Sequence, residues 1–189
     1  MLCAVRWYLR YWRSLREVEE LLTERGLTAD HTTVWRWVQC YGPELEWRMR
    51  RHLKPTNQSW RVDESYVGVH GRWCYLYRAI DSSGAPIDFL LSAVRAADAA
   101  KRLLRKALSD PAHPQPDLIN TDRAPIYGAA LPDLKQEATL RRRCWHRPVQ
   151  YLNNILEQDH RAIKPRVNAK QGFREFQAAG RTLQALPSD

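Results

Sequence analysis

Residues 60–92 read "WRVDESYVGVHGRWCYLYRAIDSSGAPIDFLLS". Three runs rich in Val, Ile, Tyr, Phe and Trp are separated by two turn signals, His70-Gly71 and "DSSG" at 81–84. β-branched and aromatic residues fit a pleated, half-buried surface. Glycine at a tight turn supplies the positive φ that a hairpin connection needs. The segment therefore predicts a three-stranded antiparallel meander. A chain with such a meander must cover at least one face of the sheet with other elements.

Those elements follow in the sequence. "AADAAKRLLRKALSD" predicts an amphipathic helix with Leu103, Leu104, Ala107 and Leu108 inward. "PAHPQP" breaks it, and "DLINTD" predicts a short fourth strand. A helix or loop spans 124–137, and the basic run "RRRCWHR" precedes a last helix in "VQYLNNILEQDHRAIKPRV" at 149–167. There Leu152, Ile155, Leu156 and Ile163 share one face, while Asn153, Asn154, Glu157, His160, Arg161 and Lys164 occupy the other. Three antiparallel strands followed by helix-strand units make a mixed α/β sheet with helices packed on it.

The first 50 residues have a different pattern. Ser14 and Glu17 in "SLRE" match a capping box, and Leu15, Val18, Leu21 and Leu22 form one stripe. Gly26 can end that helix. Asp30 is an N-cap for a second helix with the stripe Val34, Trp37, Val38 and Tyr41, expected to end at Gly42. Two short helices joined by "ERGLTAD" predict a helix-turn-helix. Its second helix is expected to turn Thr32, Thr33, Arg36 and Gln39 outward, with Trp35 nearby, where they can bond base edges or phosphates. Helical pairs with polar outer faces also occur in proteins that never touch DNA. The polar, proline-containing segment 51–59 reads as a linker, which leaves 60–186 as the second domain.

Lys and Arg outnumber Asp and Glu by 30 to 21, a net charge of +9. That balance favours a polyanionic partner. No apolar run is long enough to span a membrane, and the apolar-basic start lacks a signal peptide's core. The four cysteines are scattered, as in a reduced, cytoplasmic protein with unpaired thiols. Cys144 and His146 in "RCWHR" are two potential ligands, too few for a zinc site.

Three carboxylates stand out by position. Asp63 is embedded in the first strand, Asp122 follows the fourth, and Glu157 lies on the last helix. If the first and fourth strands are neighbours, the two aspartates sit side by side. Like charges that close need a cation. Oxygen-rich sites suit Mg²⁺ or Mn²⁺, and two such ions about 4 Å apart can clamp an in-line displacement at phosphorus, which places the carboxyl groups about 4–8 Å from one another. Taken one at a time, each acid also has an ordinary reading as a solvated or turn-forming residue.

The blocks "WRVDESY", "GRWCYLYRAIDSSG", "DFLLSA", "INTDRAPIYGAAL" and "VQYLNNILEQDHRAIK" resemble bacterial insertion-sequence transposases of the DDE type, in particular the IS-six family. "HTTVWRWVQ" resembles that family's helix-turn-helix, and the 34 residues between Asp122 and Glu157 match its spacing. The resemblance implies a ribonuclease-H-like integrase core with Asp63, Asp122 and Glu157 as the catalytic, metal-binding triad. It implies strand cleavage and strand transfer on duplex DNA with two divalent ions, and a homo-oligomer when active. His160, Arg161 and Lys164 would then face the DNA backbone. Such transposases usually have more residues before the point where this chain starts, and its end is also shorter, so the chain is expected to be truncated. Pro165 and Gly68 stand where basic residues are expected. A truncated copy that only binds DNA, or a nuclease on the same fold that cuts without joining, are the competing readings.

Overall fold

The computed structural model describes residues 1–11, 13–50, 55–149, 173 and 175–184. Its contacts divide the chain into two compact units, Met1–Leu53 with Gly68–Arg72 and Arg161–Asp189, and Lys54–Val67 with Trp73–His160.

The first unit is helical. α1 spans Leu2–Arg10, α2 Leu15–Thr23 and α3 His31–Arg50. Ser14 accepts the Glu17 amide at 3.2 Å, while the Glu17 carboxylate accepts the Ser14 amide at 2.6 Å, the capping box expected at the start of α2. Gly26, at φ 71°, ends the turn after α2 in the left-handed region that glycine adopts without steric cost. Val18 and Leu22 of α2 pack with Val34 and Val38 of α3 and with Ala4, Val5, Tyr8 and Leu9 of α1, all buried. Asp30 caps α3 by accepting the Thr33 amide at 2.7 Å.

α3 does not stop at Gly42. It continues through Pro43 to Arg50. A proline inside a helix costs about 3 kcal/mol. Here the following "ELEWRMR" is rich in helix formers, Glu44 and Arg48 pair one turn apart at 2.5 Å, and Leu45 packs against the three-helix core. A late helix, Phe176–Gln184, belongs to the same unit and buries Ala178, Ala179, Thr182 and Leu183 on one stripe. The tip of the first hairpin is also grouped here. Phe173 bridges Val69, donating its amide to Gly68 and accepting that of His70.

The second unit is built on a five-stranded sheet. β1 (Ser59–Val69), β2 (Arg72–Asp81) and β3 (Pro86–Ser92) form the meander; β4 (Leu118–Thr121) and β5 (Trp145–Pro148) complete it in the order β3-β2-β1-β4-β5. His70 and Gly71, at φ 50° and 71°, make the two-residue turn between β1 and β2. β4 runs parallel to both β1 and β5. α4 (Ala97–Ser109) and α5 (Pro125–Gln136) cover one face. Ala99, Ala100, Leu103, Leu104 and Ala107 of α4 pack with Tyr127, Ala130, Leu131 and Leu134 of α5 over Trp60, Val62, Tyr77 and Ile119 of the sheet. Full burial of one such aliphatic side chain contributes about 1.5–3 kcal/mol, so this layer is what holds the sheet in place. Late in the chain, Phe176–Gln184 is termed α6 below.

β5 is an element the residue pattern did not predict. Three of its four residues lie in the basic run, and Trp145, Arg147 and Pro148 are exposed. Only the ladder to β4 makes it a strand.

Candidate active site

β1 and β4 pair in parallel with Trp60 opposite Ile119, Arg61 opposite Asn120 and Val62 opposite Thr121. One step further along both chains stand Asp63 and Asp122. Side chains alternate faces along a strand. Trp60, Val62 and Ile119 point into the α4–α5 core. Asp63 and Asp122 therefore share the opposite face, on adjacent chains, at the carboxyl end of β4. Two acids 59 positions apart in sequence are brought together by this register alone.

The surroundings make the pair electrostatically tense. Burial, together with the negative charge of Asp122, pushes the Asp63 carboxyl up to about 6, against a smaller lowering by the Glu64 amide and Arg78. Asp63 accepts the Glu64 amide at 2.7 Å, and Asp122 accepts the Ala124 amide at 3.0 Å in the turn before α5. One oxygen of each carboxylate is thus oriented by backbone. The Asp122 contact is also the local turn chemistry that an ordinary "NTD" loop would show.

Three neighbours escaped the sequence reading. Tyr127, on the first turn of α5, is fully buried, and its hydroxyl has no hydrogen-bond partner among the described residues. Burial first, then the charges of Asp63, Asp122 and Glu64, push its phenol well above the usual range. Glu64 is almost wholly buried, with 4% of its side chain exposed, and forms an ion pair with Arg95. Nothing in the residue pattern separates Glu64 from an exposed strand acid. Only the loop that carries Arg95 back over the sheet reveals its partner.

Glu157, His160, Arg161 and Lys164, as well as Pro165, lie outside the described residues. Among the described residues no three His, Cys, Asp or Glu side chains form a group that could hold a metal. Cys144 is buried, and the His146 ring bonds the Thr121 hydroxyl at 2.9 Å across the β4–β5 edge. Burial, with help from Lys135, lowers the His146 pKa.

In the helical unit, Thr32 and Arg36 are exposed, Thr33 is half-buried, and Trp35 is partly exposed. The Thr32 hydroxyl donates to Asp30 at 3.0 Å. Hydrogen bonds from Thr33, then Thr32, hold the Asp30 carboxyl down at about 2. Gln39 departs from the expected outward face. It is buried, and its side-chain amide donates to the Thr182 hydroxyl at 3.1 Å and the Ala178 carbonyl at 3.5 Å. α6 covers this end of the face, and a helix 140 residues downstream is invisible to local periodicity.

Comparison with known proteins adds to this geometry. Residues 57–188 match the family model of the DDE domain of IS240-type transposases. The chain is 38% identical over 183 residues to the transposase for insertion sequence-like element IS431mec of Staphylococcus aureus (strain N315), covering 97% of this chain and 79% of the relative. It is 37% identical, with the same coverage, to the transposase for insertion sequence element IS257 in transposon Tn4003 of Staphylococcus aureus. Among solved structures, it is similar to the HTLV-2 integrase catalytic core domain in complex with magnesium, with TM-score 0.51, 14% identity, and coverage of 69% of this chain and 83% of that one. It is also similar to a chain of the simian T-cell lymphotropic virus intasome in complex with PP2A regulatory subunit B56 gamma, with TM-score 0.52, 15% identity, and coverage of 90% and 67%. These structural likenesses show that the sheet and its helices have the ribonuclease-H-like fold of integrase catalytic cores.

Proposed function

The chain belongs to the DDE transposases of insertion sequences, the IS-six family, and we propose that it moves its element with Asp63, Asp122 and Glu157 as a triad holding two Mg²⁺ or Mn²⁺ ions. As a DDE polynucleotidyl transferase it acts in DNA transposition. The observation that carries the assignment of its site is the pair of half-buried aspartates brought side by side by the parallel register of β1 and β4.

The donor chemistry fits a hard divalent cation. Two carboxylates share one sheet face, each with one oxygen fixed by a backbone amide, and burial raises the Asp63 pKa even with Arg78 lowering it. Two acids alone leave the site short of a ligand, and Glu157, at the family's spacing after Asp122, is the residue assigned to supply it. The HTLV-2 integrase core of the same fold is a magnesium complex. When bound, the ions neutralise charge at the scissile phosphate and sharpen the nucleophile. The protein's own part is to hold the carboxylates rigidly. β1 and β4 set the spacing of the aspartates, and Tyr127 with the α4–α5 core closes the far side of the sheet to water.

DNA recognition is assigned to two places. α3 presents Arg36 with Thr32 and Thr33 to duplex DNA as the second helix of a helix-turn-helix, and Gln39 is withdrawn from that set. His160, Arg161 and Lys164 follow Glu157 and are assigned to phosphates of the bound ends. The active species is a homo-oligomer that pairs two element ends on target DNA. Among the described residues no helix is long and apolar enough to cross a membrane.

The test is a strand-transfer assay with Mg²⁺ on DNA carrying the element's own ends, comparing wild type with Asp122→Asn and Glu157→Gln. Joining by wild type alone, with end binding retained by both variants, is the expected result. A wild type that binds ends and cuts without joining would favour the nuclease. One that binds and does nothing would mark this copy as a DNA-binding remnant.

A further inference from the structure

We propose that Arg95 is a positioning residue for the Asp63–Asp122 pair, acting through Glu64. The inference rests on the metal-site reading above and concerns a residue that lies outside the triad.

Glu64 follows Asp63 directly, so on the strand it points to the opposite face. Its side chain is 4% exposed, one oxygen is ion-paired with the Arg95 guanidinium, and Oε2 is buried without a hydrogen bond. The Glu64 amide is the group that holds an Asp63 carboxylate oxygen, at 2.7 Å. Whatever fixes Glu64 thus fixes the donor that orients Asp63. A third carboxylate beside the two half-buried aspartates would add to their repulsion unless a cation cancels it. Arg95 supplies that cation, and its charge also interacts with Asp122.

Arg95 is held in place for the task. It lies in the four-residue connection between β3 and α4. On one side the Ser92 hydroxyl donates to the Val94 carbonyl at 2.8 Å and accepts the Val94 amide at 3.3 Å. On the other, the Ala96 amide donates to the Tyr77 hydroxyl at 3.3 Å. The connection is therefore tied to the end of β3 and to β2, with Arg95 reaching back over β1 between the two ties. A guanidinium fork can pair with a carboxylate in a fixed geometry that a flexible ammonium does not reproduce.

The experiment uses the full chain and four proteins: wild type, Arg95→Gln, Arg95→Lys and the double variant Glu64→Gln/Arg95→Gln. Calorimetric titration with Mn²⁺ reads metal affinity without requiring joining. Thermal melting in metal-free buffer, end binding and strand transfer are read beside it. Loss of residues that orient metal ligands typically costs about 10–100-fold in metal affinity or activity, and Arg95→Gln is expected to weaken Mn²⁺ binding by that order while end binding stays within about twofold. Arg95→Lys should fall between. The double variant, with no buried charge left unpaired, should recover the melting temperature but not the Mn²⁺ affinity.

The sign separates positioning from bulk electrostatics. Removing a cation beside a metal site should by itself tighten Mn²⁺ binding. Unchanged or tighter binding by Arg95→Gln overturns the proposal, as does a double variant that recovers both stability and affinity. If Arg95→Gln fails to fold, the double variant's Mn²⁺ affinity decides. A wild type that binds Mn²⁺ but never joins DNA would sink the strand-transfer reading and leave this one to the titration. A wild type that binds no Mn²⁺ would sink both.

Discussion

At the scale of single residues, the structure separates acids that stabilise the fold from acids that strain it. Asp81, at the end of β2, is buried and accepts hydrogen bonds from the amides of Asn57, Ser83 and Ala85 and from the Ser83 hydroxyl, at 2.6–2.9 Å. Burial alone would raise its pKa, but these donors outweigh it and the net shift is downward. A carboxyl depressed in the folded state contributes stability above its unfolded pKa of about 3.9, and that contribution is lost as pH falls through the folded value. Asp81→Asn should cost about 1–3 kcal/mol at pH 7, because donors are left without an acceptor. Melting curves should show the deficit shrinking below about pH 4. Asp63 has the opposite sign. Its raised folded pKa favours the fold at low pH and costs stability as pH rises through about 6. In metal-free buffer at pH 7, Asp63→Asn should melt higher than wild type by at most about 3 kcal/mol, with the gain gone near pH 4. A variant that melts lower at pH 7 would show that the charged carboxylate holds the fold together.

At the scale of elements, α3 serves two purposes on different faces. Val34 and Val38 are core, Gln39 docks α6, and Arg36 is solvent-exposed. Gln39→Ala should destabilise the protein by about 1–3 kcal/mol, since the Thr182 hydroxyl is left buried without its donor. A double-mutant cycle with Thr182→Val should be non-additive, because the two side chains are in contact. Arg36→Ala should do the reverse, leaving the melting temperature nearly unchanged while weakening end binding. A loss of about 1–3 kcal/mol confined to the element's own ends would mean base reading, and an equal loss on unrelated DNA a phosphate contact. Between α4 and α5, Lys101 pairs with Asp133 at 2.9 Å and Glu137 at 2.7 Å, and Arg105 with Glu137 at 2.7 Å. These are surface pairs screened by solvent, so the buried stripe of α4 and not this charge network carries the packing.

At the scale of the whole molecule, a net charge of +9 in a DDE transposase predicts DNA binding dominated by phosphate contacts. The logarithm of the binding constant for random duplex should fall linearly with the logarithm of salt concentration, by about 0.9 for every phosphate neutralised. Specific ends should keep an added preference at all salts if Arg36 reads bases. A flat salt response would mean that the basic residues serve internal pairing instead. The grouping of α6 and the hairpin tip with the N-terminal helices also means that this unit is assembled from distant parts of the chain. Removal of the last 15 residues should therefore destabilise the N-terminal helices through the loss of the Gln39–Thr182 contact.

Local rules were enough for the elements whose signals lie in adjacent residues. The capping box of α2, the His70-Gly71 turn, the three strands of the meander and the apolar stripe of α4 each follow from side-chain chemistry within a few positions. The acids Asp63 and Asp122 were legible as an embedded charge and a strand-end residue. Features set by distant partners were not. β5 is a strand only because β4 lies beside it, Gln39 is buried only because α6 returns to cover it, and α3 outruns Gly42 because packing outweighs a proline. Glu64 and Tyr127 belong to the site through a loop and a helix that cross the sheet far along the chain. Periodicity and capping are short-range, carried by bonds within one or two turns, whereas burial and charge pairing depend on which surfaces meet, and that is settled only when the sheet closes and its helices dock.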